Sequence, residues 1–225
     1  MVGQSAALCP ACWMTVRFIE RPYCEITGMP FDHDRGDGLV SPEAIAHPPL
    51  YARARAAVFY DGVARKIVHG LKYSDRADLA GMMAAWMIRA GRDVVDDSDV
   101  ILAVPLHRSR LFARRYNQSA ELARSLAGQS GKPFLPGVMR RVRATQQQVG
   151  LGLRARQDNV RGAFSIEPEQ VQRFLGLKVL LIDDVLTTGS TVEAAARALL
   201  RAGAGQVNVL TFARVASQGE ETLYA

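Results

Sequence analysis

Cysteine is scarce in this chain: there are three among 225 residues, and an odd number excludes the paired framework of a secreted disulfide scaffold. Long apolar runs are missing as well. No stretch approaches the roughly 20 residues that cross a bilayer, and the opening MVGQSAALCPACW has neither a basic start nor a long apolar run, so a cytoplasmic location is expected. Acidic residues are rare in one region only. Between Pro105 and Arg161 there are two, Glu121 and Asp158, against twelve basic residues, whereas the remainder carries twenty acidic and sixteen basic. The net charge of +6 is therefore regional, and the region is almost all arginine, whose planar fork grips phosphate oxygens in pairs. A pyrophosphate, a nucleic-acid backbone or both are candidate partners, and a solvated basic face is the alternative. What the chain does have is apolar content: 48% hydrophobic residues support a substantial core, one main domain plus a small one, and exclude a disordered class.

The most informative stretch runs from Val179 to Thr191, VLLIDDVLTTGST. Val179, Leu180, Leu181 and Ile182 read as a fully buried strand with Asp183 and Asp184 at its carboxyl end. Thr187, Thr188, Gly189, Ser190 and Thr191 form a hydroxyl-rich turn into a helix, where Val192, Ala195, Ala196, Leu199 and Leu200 make an apolar stripe and Gly203 stops it. Unpaired N–H groups and the positive dipole end at Ser190 or Thr191 suit a phosphate monoester, and Gly189 lets the backbone approach closely. Two carboxylates would repel that phosphate, so they face a hydrogen-bond donor such as the hydroxyls of a ribose. A sugar phosphate satisfies both halves; an ordinary capped turn leaves the acid pair unexplained.

Along the chain, residues 1–50 read as an irregular module with CPAC at 9–12, Cys24, and a Gly, Asp and Pro-rich run ending at Pro49. Such a composition needs a staple, and zinc is the usual one where CxxC pairs recur. Only one pair is intact, and Cys24 with His33 or His47 lacks the spacing of a compact knuckle. A degenerate or metal-free module is favoured over zinc held by Cys9, Cys12 and Cys24. Beyond it, residues 56–60 read as a strand, Val63, Ile67 and Leu71 as the stripe of a helix opened by Gly62, and 75–91 as a second helix. His69 and Lys72, near the end of the first helix, are assigned to its dipole.

Residues 100–104 form the next strand candidate, followed by a basic turn at 105–110 that is a second possible anion site. A helix is expected over 111–127, with Asn117 and Gln118 as surface amides or ligand contacts. Residues 140–164 lack a period and read as an excursion loop or a solvated linker, from which Arg154 and Asn159 could reach a ligand. A last strand is expected over 206–212. Strands alternating with helices predict an α/β fold with a mainly parallel sheet.

The acid loop resembles the phosphoribosyl pyrophosphate loop of type I phosphoribosyltransferases. With HGLKY at 69–73, VPLHRSRLFARRYNQS at 104–119 and TQQQVGLGLRARQDNVRGAF at 145–164, residues 51–216 resemble the ComF family of phosphoribosyltransferase-like proteins. The resemblance implies a type I phosphoribosyltransferase-like sheet flanked by helices over 51–225 and a zinc-ribbon-like module over 1–50. It implies that Asp183 and Asp184 are catalytic, and that Val185, Leu186, Thr187, Thr188, Gly189, Ser190 and Thr191 hold the ribose 5-phosphate. Pro105, Leu106, His107 and Arg108 would hold pyrophosphate, and residues 140–161, with Arg140, Arg154 and Asn159, would close over it. The implied ligands are phosphoribosyl pyrophosphate and magnesium, with a nitrogen acceptor of unknown identity. The second implied role is accessory: DNA uptake, through single-stranded DNA or a helicase. The family carries three CxxC pairs where this chain keeps Cys9 and Cys12, Cys24 with Thr27, and Ser41 with Ala44, and Arg115 stands where the family often has glycine.

Overall fold

In the computed structural model, residues 8–31, 36, 38–73, 76–114, 116–143 and 162–216 are described. Their elements in chain order are α1 (Pro10–Met14), α2 (Pro42–Ala46), β1 (Arg53–Phe59), α3 (Gly62–Tyr73), α4 (Leu79–Ala90), α5 (Arg92–Asp96), β2 (Val100–Ala103), α6 (Arg108–Arg114), α7 (Gln118–Ser130), β3 (Met139–Arg141), β4 (Phe164–Ile166), a short 3₁₀ helix (Pro168–Arg173), β5 (Lys178–Leu186), α8 (Ser190–Arg201) and β6 (Gln206–Arg214). Four strands pair in parallel in the order β1-β6-β5-β2.

The near-continuous apolar composition of β5 and β6 follows from cover on both faces. Leu180 and Ile182 join Phe212 and the helical residues Leu71, Met83, Met87, Leu122 and Leu126 in one buried cluster. Their neighbours Val179 and Leu181 turn the other way, onto Val192, Ala195, Ala196 and Leu199 of α8. The fold is therefore the α/β arrangement expected, a parallel sheet flanked by helices. Both sheet edges are covered, which blocks pairing with another chain. On β1, Ile19 N donates to Ala57 O (3.0 Å) and Phe59 N to Arg17 O (2.9 Å); on β2, Ile101 N donates to Pro133 O (2.9 Å) and Leu135 N to Ile101 O (3.0 Å).

The amino-terminal residues have little core of their own. Among the described apolar residues up to Pro49, Ile19, Cys24 and Ala44 are buried. The rest lean on the sheet domain: Trp13 meets Phe18 (5.5 Å) and Trp86 (5.3 Å), and Trp86 stacks on Phe212 (5.9 Å).

Three expectations need correction. The strand carrying the acids does not stop at Ile182 but runs through both of them to Leu186, because its ladder with β6 continues to the pair Leu186 and Arg214. The single helix expected over 111–127 is two, α6 and α7. Asn117 divides them: its side chain accepts from Ser119 N (3.2 Å) as the N-cap of α7 and donates to Val104 O (3.0 Å). The excursion over 140–164 begins and ends as paired backbone, with β3 and β4 antiparallel and Arg140 opposite Ser165. Arg115, Arg154, Asn159 and His33 lie outside the described residues.

Candidate functional site

The carboxyl end of β5 outruns its neighbour. β2 ends with Ala103 opposite Ile182, and a last bond joins Val104 N to Ile182 O (2.9 Å) before the chain leaves at Pro105. Asp183 and Asp184 thus emerge at the end of an open parallel sheet, where such folds bind ligands. The two carboxylates have different partners. Asp183 Oδ1 accepts from Ser119 Oγ (2.8 Å), in the first turn of α7, and from Asp184 N (2.9 Å). Asp184 Oδ2 pairs with Lys72 Nζ (2.7 Å), in the last turn of α3.

The electrostatics follow from this division. Asp183 keeps some solvent-accessible surface but is packed in by protein over nearly its whole neighbourhood. Burial, and then the charge of Asp184, push its carboxyl up to about 7, against the opposing pull of Ser119, the Asp184 amide and Lys72. Burial disfavours the Lys72 ammonium, yet the charge and hydrogen bond of Asp184, with Asp183 and Tyr60 adding to them, raise its pKa above the ordinary lysine value. One acid is thus paired with a cation, and its neighbour is left poised to hold a proton near neutrality.

Beyond the acids, Val185 and Leu186 remain in the ladder with Ala213 and Arg214, and Leu186 is buried, so these two build the loop rather than project into it. Thr187, Thr188 and Gly189 make the turn. Gly189 takes φ +79°, a left-handed conformation that favours glycine, and an added Cβ there would face open space. Thr188 Oγ1 and Ser190 Oγ lie 3.0 Å apart. The helix begins at Ser190, as the hydroxyl-rich turn predicted. First-turn N–H groups of an α-helix have no intrahelical acceptor, so the turn presents donors and a positive dipole end beside the acid pair.

The turn at 105–110, the second candidate anion site, is tied to β3. His107 bridges in parallel to Arg141 of β3, and its Nδ1 is engaged by Ser109 Oγ (2.8 Å) and Ser109 N (3.3 Å). Pro105 and Leu106 lead into it, and Arg108 opens α6 as an exposed residue. Arg140 is not on a free loop: it stands on β3, faces solvent and pairs with Glu167 (3.2 Å). Strand alternation turns Arg141 inward instead, where its guanidinium lies over the Phe164 ring at 5.4 Å. Burial and then the charge of Arg110 lower the Arg141 pKa while Asp183 opposes them, so Arg141 lies within the field of both Arg110 and Asp183. Gln118, the second of the two amides, is buried and accepts from Arg114 Nη1 (3.3 Å).

The family model of the phosphoribosyl transferase domain matches residues 76–224, and a double zinc ribbon model matches residues 1–43. A DNA utilization protein YhgH from Salmonella typhi is 33% identical over 219 residues, 95% of this chain and 86% of that protein. Competence protein F of Haemophilus influenzae is 34% identical over 116 residues, 52% of this chain and 50% of its own length. The chain belongs to the ComF family of phosphoribosyltransferase-like proteins. A solved allosteric regulatory enzyme of purine biosynthesis overlays on 64% of the chain and 30% of its own, at 21% identity and a TM-score of 0.42.

Of the residues gathered in this ComF-family site, Lys72 was assigned to its helix dipole rather than to Asp184, and Ser119 and Arg141 were given no individual role by sequence reasoning. Lys72 had a visible signal, since it follows Leu71 of the apolar stripe directly and so stands at the edge of that face. The donor chemistry at Asp183 and Asp184 fits magnesium, a hard cation held through one or two carboxylates together with a ligand's phosphates. The described thiols fit zinc poorly: Cys9 and Cys12 share the α1 turn, Cys24 is buried elsewhere, and no three His, Cys, Asp or Glu groups converge among the described residues. No helix among them is long and apolar enough to cross a membrane.

Proposed function

We propose that this site binds phosphoribosyl pyrophosphate with magnesium and transfers the phosphoribosyl group to a nitrogen acceptor. The observation that carries the reading is the adjacency, on one strand end, of a divided acid pair and an open helix start at Gly189 and Ser190. The 5-phosphate sits on the donors of residues 187–191, and the ribose hydroxyls donate to Asp183 and Asp184. Pyrophosphate lies toward the 105–108 turn, within the field of Arg110 and Arg141. In the transfer the nitrogen lone pair forms a bond to C1 as the C1–O bond breaks, its electron pair leaving with pyrophosphate. The carboxylates stabilise the positive charge that develops on the ribose, and the arginines favour the departing anion. Magnesium, when bound, neutralises phosphate charge.

The test is calorimetric titration of phosphoribosyl pyrophosphate with magnesium into the unaltered chain and into Asp183→Ala/Asp184→Ala. Saturable binding, weakened on the order of 100-fold by the double change, is expected. No binding by the unaltered chain overturns the reading.

A second reading, DNA handling, is supported by the names of the relatives and by one structural feature. Phe112 is 93% exposed on α6, between Arg110 and Arg114. An exposed aromatic ring among arginines suits stacked bases of single-stranded DNA. Its affinity must fall steeply with salt, and a flat, weak response overturns it. Both roles are cytoplasmic ones.

A further inference from the structure

The amino-terminal residues repeat one local contact three times. Cys12 N donates to Cys9 Sγ (3.4 Å), Thr27 N to Cys24 Sγ (3.5 Å) and Ala44 N to Ser41 Oγ (3.3 Å). In each case a side chain accepts the N–H three residues on, and that spacing presents two positions to one point, as thiolate pairs do to zinc. Two of the turns meet, because Ser41 N also donates to Cys24 Sγ (3.3 Å). Cys24 Sγ thus joins the two turns, and the four positions Cys24, Thr27, Ser41 and Ala44 carry one thiol, two hydroxyls and a methyl group, with Thr27 Oγ1 itself accepting from Met29 N (3.3 Å). A structural zinc site requires four sulfur or imidazole donors, and this set does not provide them.

We propose that these four positions are a metal site converted to metal-free use, in which buried arginines of the sheet hold the turn that zinc would otherwise order. Three successive carbonyls of the turn are taken by the sheet domain. Glu25 O accepts from Arg55 Nη1 (2.9 Å), Ile26 O from Ala54 N (2.7 Å) and Thr27 O from Arg214 Nη1 (2.7 Å). Arg55 and Arg214 are 1% and 4% exposed, and Arg55 Nη2 also binds Glu25 Oε2 and Asp93 Oδ2, both at 2.8 Å. The fit is close: Gly28 has φ +64°, and a Cβ there would stand 2.3 Å from Ala54 O. Order in this turn comes from docking on β1 and β6, not from a bound ion. Burial raises the Cys24 thiol pKa, but the bonds from Ser41 and Thr27 bring it down to about 7, so the sulfur is already served as an acceptor.

Cobalt(II) titration of the full chain, read by the sulfur-to-cobalt charge-transfer band, tests this. The unaltered chain is expected to show no band that Cys24→Ser removes. Thr27→Cys/Ser41→Cys/Ala44→Cys is expected to gain a tetrahedral site, lost again when Cys24→Ser is added. A Cys24-dependent band in the unaltered chain overturns the proposal, as does a folded triple variant with no added site. If the triple variant does not fold, zinc content decides alone: equal zinc in the unaltered chain and in Cys24→Ser upholds the proposal, and a loss in the variant overturns it.

Discussion

Two aspartates at opposite ends of the same sheet behave in opposite ways. At the amino end, Asp97 accepts from Arg53 (2.5 Å), Lys178 (2.6 Å), Gln206 (3.0 Å) and Asn208 (3.3 Å). Its carboxyl is held well below the ordinary range, with the Lys178 hydrogen bond as the largest cause. At the carboxyl end, Asp183 has a hydroxyl, an amide and a like-charged neighbour, and is pushed up to about 7. Donors in surplus make a carboxylate a structural anchor. Donors in deficit beside a second carboxylate leave one that gains by meeting a ligand.

The largest expected effect is at the poised end. Lys72→Met leaves Asp184 without its cation and is expected to cost about 3 kcal/mol in urea unfolding at pH 8. An unchanged midpoint would mean that the pair is not what holds Asp184. The pH dependence should separate the two ends with a change of about 2 kcal/mol. Asp183 titrates at about 7 when folded and near the ordinary carboxylate value when unfolded, so the folded state holds the extra proton between them. Its contribution to stability is then full below about pH 4 and declines as pH rises toward 7. Asp97 runs the other way: its contribution is present above about pH 4 and is lost as pH falls below that. Asp183→Asn should flatten the first limb alone, measured by unfolding across pH, and a persisting limb would assign it elsewhere.

Asp97→Ala is expected to cost about 2 kcal/mol while leaving phosphoribosyl pyrophosphate affinity unchanged. A loss of affinity would break the division between anchor and site. The smallest effect is expected for Gly189→Ala, about 1 kcal/mol from left-handed strain alone, since the new methyl meets open space. A much larger loss in thermal unfolding would show that the turn is held tightly without ligand.

Much of the fold was legible because its signals are local. Apolar runs marked the strands, and the hydroxyl-glycine turn marked the start of α8 at Ser190. The site was legible only along β5. Lys72 and Asp184 are far apart in sequence and meet because α3 and that strand share one buried cluster; in the helix alone Lys72 is a cation near a dipole. Ser119 reaches Asp183 because Asn117 breaks what reads as one helix. The choice of Arg141 over Arg140 rests on the pairing of β3 with β4, which a polar, aperiodic stretch does not announce.

The sequence by itself determined the parallel α/β sheet, the acid pair and the hydroxyl-glycine turn, since residue period, glycine and capping chemistry act over a few residues. Tertiary structure alone decided that one acid would be paired with a cation and the other pushed up to about 7. Burial and charge act through space, and the partners that set them arrive from helices distant in the chain.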